Sequence, residues 1–130
     1  MNVTNFSLLI TDDDRDFRET LREVFEPQGF HTLLAGDGEE ALHILRRETI
    51  HVALLDMHMP RLNGLETVRQ ARATRIQVPC ILLSAGLDER LAEAARQVNV
   101  FASLPKPVDF RHVRRIVADA LQATYPTTRS

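Results

Sequence analysis

Short apolar runs alternate along this chain with longer segments whose apolar residues recur every three or four positions, and that alternation restricts the fold more than any single motif. Runs of strand length occupy residues 6–10, 30–34, 51–55, 80–83 and 100–104. Between and after them lie five stripes of helical period. They are Phe17, Leu21, Val24 and Phe25; Ala41, Leu42 and Leu45; Leu65, Val68 and Ala71; Leu87, Leu91, Ala94, Ala95 and Val98; and Phe110, Val113, Ile116, Val117, Ala120 and Leu121. Each stripe lines one face of a helix. Strands in strict alternation with helices are joined by right-handed crossovers, which makes the sheet parallel and covers both of its faces. The expected class is α/β, with five strands and five helices in one doubly wound sheet.

Turn chemistry agrees with this division. Gly29 after Pro27 closes the first helix, and Asp14 is a candidate N-cap at its start. Gly36-Asp37-Gly38 supplies a turn and an N-cap for the second helix, with Glu40 placed to complete a capping box. Gly64 opens the third helix after the Met59-Pro60 break. With 130 residues and 44% hydrophobic content, the chain sustains one core and one domain. That domain is expected over residues 1–123, with 124–130, where the stripe ends, as a C-terminal tail or the start of a linker.

Sixteen basic and eighteen acidic side chains give a net charge of −2, which exerts no pull toward nucleic acid or an anionic membrane. Cys80 is the single cysteine, so no internal disulfide can form, and its neighbours Val78, Pro79 and Ile81 mark it as a small buried residue. No apolar run approaches the ~18 residues of a membrane span. Neither direct nucleic-acid binding nor membrane insertion is expected, and a cytoplasmic location is.

The strand ends carry the chemistry. Asp12, Asp13 and Asp14 follow the first apolar run, Asp56 ends the third, Ser84 the fourth, and Lys106 lies just past the fifth. In a parallel α/β sheet the carboxyl ends of the strands share one edge, where ligands bind. Carboxylates, a hydroxyl and an ammonium converging there suit a divalent cation plus a phosphoryl group. Magnesium takes oxygen ligands from one or two carboxylates and phosphate oxygens, a role open to Asp12, Asp13 and Asp56. Two carboxylates ~4 Å apart repel by about 4 kcal/mol at an effective dielectric near 20, a cost that a cation removes. Without one, at least one carboxyl of the group should have a raised pKa. Asp56 could then act as a carboxylate nucleophile toward an activated phosphoryl group, with Lys106 and Ser84 stabilising its oxygens.

The segments that carry these residues, Leu8 to Asp14, Ala35 to Leu42, Leu54 to Pro60, Asn63 to Glu66, Ile81 to Ala85 and Leu104 to Pro107, together resemble the receiver domain of two-component response regulators. The resemblance implies a flavodoxin-like sheet of order 2-1-3-4-5. By the same resemblance Asp56 is the phosphoacceptor and Asp12 and Asp13 are the magnesium-holding pair. Met57 is the residue whose backbone carbonyl joins the metal shell, Ser84 the hydroxyl that moves toward the phosphoryl group, and Lys106 its ammonium partner. Pro107 matches a proline often preceded by a cis peptide. The implied donor is a histidine kinase or phosphotransfer protein, and the implied output is a changed surface read by an effector domain or protein. Such a domain is a signalling switch rather than an enzyme, although it promotes its own phosphotransfer and autodephosphorylation. His58 should border the phosphoryl site and tune its lifetime. Ser103 departs from the family, because many receivers carry Tyr or Phe there, three residues before the lysine; its size shifts the expected response toward the fourth helix.

Two other readings are compatible with the motif order. One is a phosphotransferase of the haloacid-dehalogenase type using Asp12, since Asp12-x-Asp14, Ser84 and Lys106 imitate its sequence of motifs. The other is a receiver-like interaction module that is never phosphorylated. His31, His43, His51 and His112 lack metal-ligand spacing and are expected to be ordinary surface or strand residues. Arg69, Arg72 and Arg75 are expected to form a solvated helix face, as are Arg111, Arg114 and Arg115.

Overall fold

The structure, a computed structural model, describes residues 6–126. Five strands, β1 (Ser7–Thr11), β2 (His31–Ala35), β3 (Val52–Asp56), β4 (Cys80–Ser84) and β5 (Ala102–Pro105), form one parallel sheet of order β2-β1-β3-β4-β5. Five helices connect and follow them: α1 (Arg15–Phe25), α2 (Gly38–Arg47), α3 (Gly64–Ala73), α4 (Glu89–Gln97) and α5 (Phe110–Thr124). The side-chain alternation of a strand sorts the core into two halves. Leu8, Ile10, Val52, Leu54, Ile81 and Leu83 face one way and are covered by Leu21 and Phe25 of α1 and Val113, Val117 and Leu121 of α5. Leu9, Ala53, Leu55, Cys80 and Leu82 face the other way, beneath Leu42, Leu45, Val68 and Ala95 of α2, α3 and α4. Because both faces are covered, the central strands are apolar on both faces apart from the polar residues at their ends, Ser7, Thr11, Asp56 and Ser84.

Most strands lie slightly later in the chain than the apolar runs suggest. The hydrogen-bond ladder carries β1, β2, β3 and β4 one residue further, to Thr11, Ala35, Asp56 and Ser84. Val100 and Phe101 fall outside β5 because the Val100 N–H closes the end of α4 on the Ala95 carbonyl. Leu87 likewise precedes α4, whose N-cap is Asp88. The Asp37 carboxylate caps α2 by accepting the Glu40 N–H at 2.8 Å, but Glu40 returns its own carboxylate to the Gly36 N–H rather than to Asp37. The box thus closes one residue earlier than expected.

At the other end of the chain, Thr124 completes α5. Tyr125 then packs its ring 5.7 Å from Phe6 and 5.3 Å from His51, and its hydroxyl donates to the His51 carbonyl at 3.0 Å. The described chain is therefore structured past residue 123, where the tail was expected to begin; residues 127–130 of that tail lie outside the described residues.

Two side chains expected to be unremarkable hold elements together. His51 accepts the Ser7 N–H on Nδ1 at 2.9 Å, and burial lowers its pKa. Arg72 is no solvated residue: its guanidinium donates to the carbonyls of Ile76, Val78, Val98 and Asn99 at 2.8–3.1 Å. It ties the exit of α4 to the segment that enters β4.

Candidate functional site

Strand register assembles the site. Thr11 pairs with Leu55, so the next residues, Asp12 and Asp56, stand side by side at the sheet edge. Asp56 pairs with Leu83 and Ser84 pairs with Pro105, which places Ser84 and Lys106 one step beyond. One ligand atom from each of Asp12, Asp13 and Asp56 falls within 4.8 Å of the others. Asp12 and Asp56 are buried and Asp13 is exposed. Lys106 reaches across 94 residues of sequence to pair with Asp12 Oδ2 at 2.8 Å and Asp56 Oδ1 at 3.2 Å.

This geometry is electrostatically strained. Burial, and then the charge of Asp12, raise the Asp56 pKa, while Lys106 and the His58 backbone N–H pull it back. Burial is thus the larger cause, and crowding by the neighbouring Asp12 carboxylate adds to it in the expected direction. Burial also works against the Lys106 charge, but hydrogen bonds and charges from Asp12 and Asp56 outweigh it, so the Lys106 pKa is raised. The donors are hard oxygens on short side chains, suited to a small divalent ion such as magnesium.

Asp12 is held by its surroundings. Its Oδ1 accepts the Asp14 N–H at 2.8 Å, and its carbonyl accepts from Arg18 Nη1 at 2.6 Å. Asp14 stands apart from the cluster as the N-cap of α1, accepting the Asp16 and Phe17 N–H groups. The second acid of an Asp12-x-Asp14 motif is thus engaged in capping. Met57 is at the site, and its carbonyl accepts the Gly64 N–H at 3.1 Å. Gly64 is required by this close approach, since a Cβ there would lie 2.5 Å from the Asp56 carbonyl oxygen and 2.9 Å from Leu82.

Ser84 is buried, and its hydroxyl accepts the Gly86 N–H at 3.0 Å while lying 3.3 Å from His58 Nε2. His58 therefore borders the site, as expected. The Lys106–Pro107 peptide is cis. Ser103 is half-buried in the middle of β5 and, with Leu87, Ala95 and Phe101, lines a cavity of about 270 Å³ between α4 and β5.

One neighbour of the site was read only as part of a core stripe. The Phe17 ring lies under Lys106 Nζ, 4.5 Å from its centroid. Lys106 itself could have been singled out more strongly from composition, because it is the chain's only lysine and every other basic side chain, histidine aside, is an arginine.

Comparison with known proteins agrees with this arrangement. The family model described as "Response regulator receiver domain" matches residues 8–118. The transcriptional regulatory protein CpxR of Escherichia coli (strain K12) is 37% identical over 106 residues, covering 82% of this chain and 45% of CpxR. The response regulator MprA of Mycobacterium leprae is 36% identical over 121 residues, covering 92% of this chain and 52% of MprA. The chain thus spans about half the length of these relatives. Among solved structures, the receiver domain of the Francisella response regulator 1452 superposes with a TM-score of 0.87 at 28% identity, covering 92% of this chain and 99% of that one. The Vibrio cholerae chemotaxis protein CheY4, at 22% identity and a TM-score of 0.84, shares the fold and covers 89% and 98% of the two chains. These matches overturn the haloacid-dehalogenase alternative, which the capping role of Asp14 also disfavours. The chain belongs to the response regulator receiver domain family.

Proposed function

We propose that this domain is a phosphorylation switch in which Asp56 accepts a phosphoryl group from the phosphohistidine of a histidine kinase or phosphotransfer protein. The convergence of Asp12, Asp13 and Asp56 within 4.8 Å, with the Lys106 ammonium bridging Asp12 and Asp56, is the observation that carries this reading. Asp12, Asp13 and Asp56 would hold magnesium, which offsets the negative charge brought by the phosphoryl group. The Met57 carbonyl accepts the Gly64 N–H with one lone pair, and its second lone pair would complete this set. An Asp56 carboxylate oxygen bonds to phosphorus as the phosphorus–nitrogen bond of the donor breaks, and the bonding pair leaves with the imidazole. Lys106 supports a phosphoryl oxygen, and Ser84 exchanges its contact with His58 for another. The domain promotes its own phosphorylation and hydrolysis and turns over no separate substrate.

Output in this reading passes through α4. That helix contributes only Ala95 to the fully buried core, and Ser103 lacks the apolar area, worth on the order of 1.5–3 kcal/mol for a ring, that an aromatic rotamer switch uses. The reader of the new surface is an effector domain or protein. Among the described residues no helix is long and apolar enough to cross a membrane, in keeping with a cytoplasmic role.

Incubation with magnesium and acetyl phosphate tests the assignment. The parent protein should gain the mass of one phosphoryl group, labile to hydroxylamine, while Asp56→Asn and a chelator-treated control gain none. Equal labelling of Asp56→Asn would refute it. Amide exchange with beryllofluoride should change at residues 85–98 more than in β5; a change confined to β5 would refute the route through α4.

A further inference from the structure

Among the described residues the ammonium of Lys106 is met by Asp12 Oδ2 at 2.8 Å, by Asp56 Oδ1 at 3.2 Å, and by the face of the Phe17 ring, 4.5 Å from Nζ to centroid. The first two are also the groups that a divalent cation would draw on. A carboxylate oxygen facing such an ion has less to offer an ammonium, and one bonded to phosphorus has lost its full charge. Phe17 differs from both. The negative face of its ring attracts a cation without bearing a net charge or a lone pair. It neither competes for a metal ion nor repels an incoming phosphoryl group.

The ring is also held in place. Phe17 lies in the first turn of α1, where the Asp14 cap accepts its N–H at 3.3 Å, and its side chain is half-buried against the core beneath α1 and α5. The Lys106 side chain is 23% exposed, so the contact is partly removed from water, where such attractions are strongest. A leucine would serve the same core packing and leave the ammonium without this partner.

We propose that Phe17 is a positioning residue: its ring retains the Lys106 ammonium at the site while Asp12 and Asp56 are engaged by cation and phosphoryl group. The inference rests on the phosphoacceptor reading above, but the contact can be measured without it. Because Lys106 is the only lysine, lysine-selective isotope labelling of the full chain reports this side chain alone. Its ε-methylene protons should be shifted upfield by the ring, and the shift should persist in saturating magnesium and with added beryllofluoride. Phe17→Leu should abolish the shift, and Phe17→Tyr should keep it.

In a second measurement, Phe17→Leu should slow phosphorylation by acetyl phosphate about three- to tenfold, Phe17→Tyr should recover the parent rate within about twofold, and magnesium affinity should stay within about twofold in both. In a Lys106→Met background, Phe17→Leu should have no further effect. Loss of the upfield shift when magnesium is added would overturn the proposal. So would a parent-like rate for Phe17→Leu, or the same slowing in the Lys106→Met background, which would mark Phe17 as merely structural. If the parent took up no phosphoryl group, the phosphoacceptor reading would fail, and the lysine spectrum would still decide the contact.

Discussion

The two edges of the sheet are built on opposite principles. At the carboxyl edge, Asp12, Asp13 and Asp56 crowd together, Asp56 is held in a state that disfavours its charge, and the buried Thr11 hydroxyl has no hydrogen-bond partner among the described residues. At the amino edge, the rings of Phe6, His51 and Tyr125 cluster with centroids 5.1–5.7 Å apart, His51 meeting both of the others edge-to-face, the His51 Nδ1 is satisfied by the Ser7 N–H, and the Tyr125 hydroxyl by the His51 carbonyl. One edge leaves electrostatic demands for a ligand to meet; the other meets its own. Strain concentrates where function needs it and is sustained by consistency elsewhere.

That contrast predicts unequal responses to substitution. The largest belongs to the amino edge: Tyr125→Ala removes a ring and a hydrogen bond, and should cost about 2–4 kcal/mol in urea unfolding without changing magnesium affinity. A parallel loss of magnesium binding would show that the edges are not independent. Next, Asp13→Ala should weaken magnesium at least about tenfold, seen as a smaller magnesium-dependent rise in melting temperature, with little change in the metal-free protein. Thr11→Val should then stabilise by about 1 kcal/mol, since it replaces an unpartnered hydroxyl with a methyl group of the same shape. Destabilisation of that variant would mean that the hydroxyl is satisfied in solution.

The smallest effect should come from His51. Its pKa is lowered by burial from the ordinary 6.5, and Nδ1 must be unprotonated to accept the Ser7 N–H. As pH falls below 6.5 the unfolded chain takes up the proton first, so stability should decline until the folded-state pKa is passed and then level off. Urea midpoints measured from roughly pH 8 to 5 should show this slope in the parent and lose it in His51→Gln.

The elements, their order and the convergence of Asp12, Asp56, Ser84 and Lys106 were legible because they depend on local period and on a single topological rule. Strand ends were less so: Asp56 and Ser84 are polar, and an apolar-run criterion stops before residues that the ladder still includes. The solvated-face expectation for Arg72 failed, and the added roles of His51 and Phe17 went unseen, for a common reason. Their partners are the Val98 carbonyl 26 residues away, the Ser7 amide 44 residues away, and a lysine in another loop. No window on the sequence contains both halves of such contacts. Phe17 fits its stripe well, and fitting a stripe conceals a second use.

Arg72 gives α4 the mechanics of a hinged leaf. One guanidinium gathers carbonyls from both Val98 and Asn99 at the end of the helix and from Ile76 and Val78 beneath it. The opposite end of α4 is reached from Ser84 through Gly86, Leu87 and the Asp88 cap. If the proposed switch pulls at Ser84, it acts on the end of a rod whose far end is tied by Arg72, and a swing about Arg72 is then favoured over a slide along the sheet. In that case a small change in hydroxyl position would become a rotation of the helix, with a displacement greatest near Ser84 and vanishing at the pin.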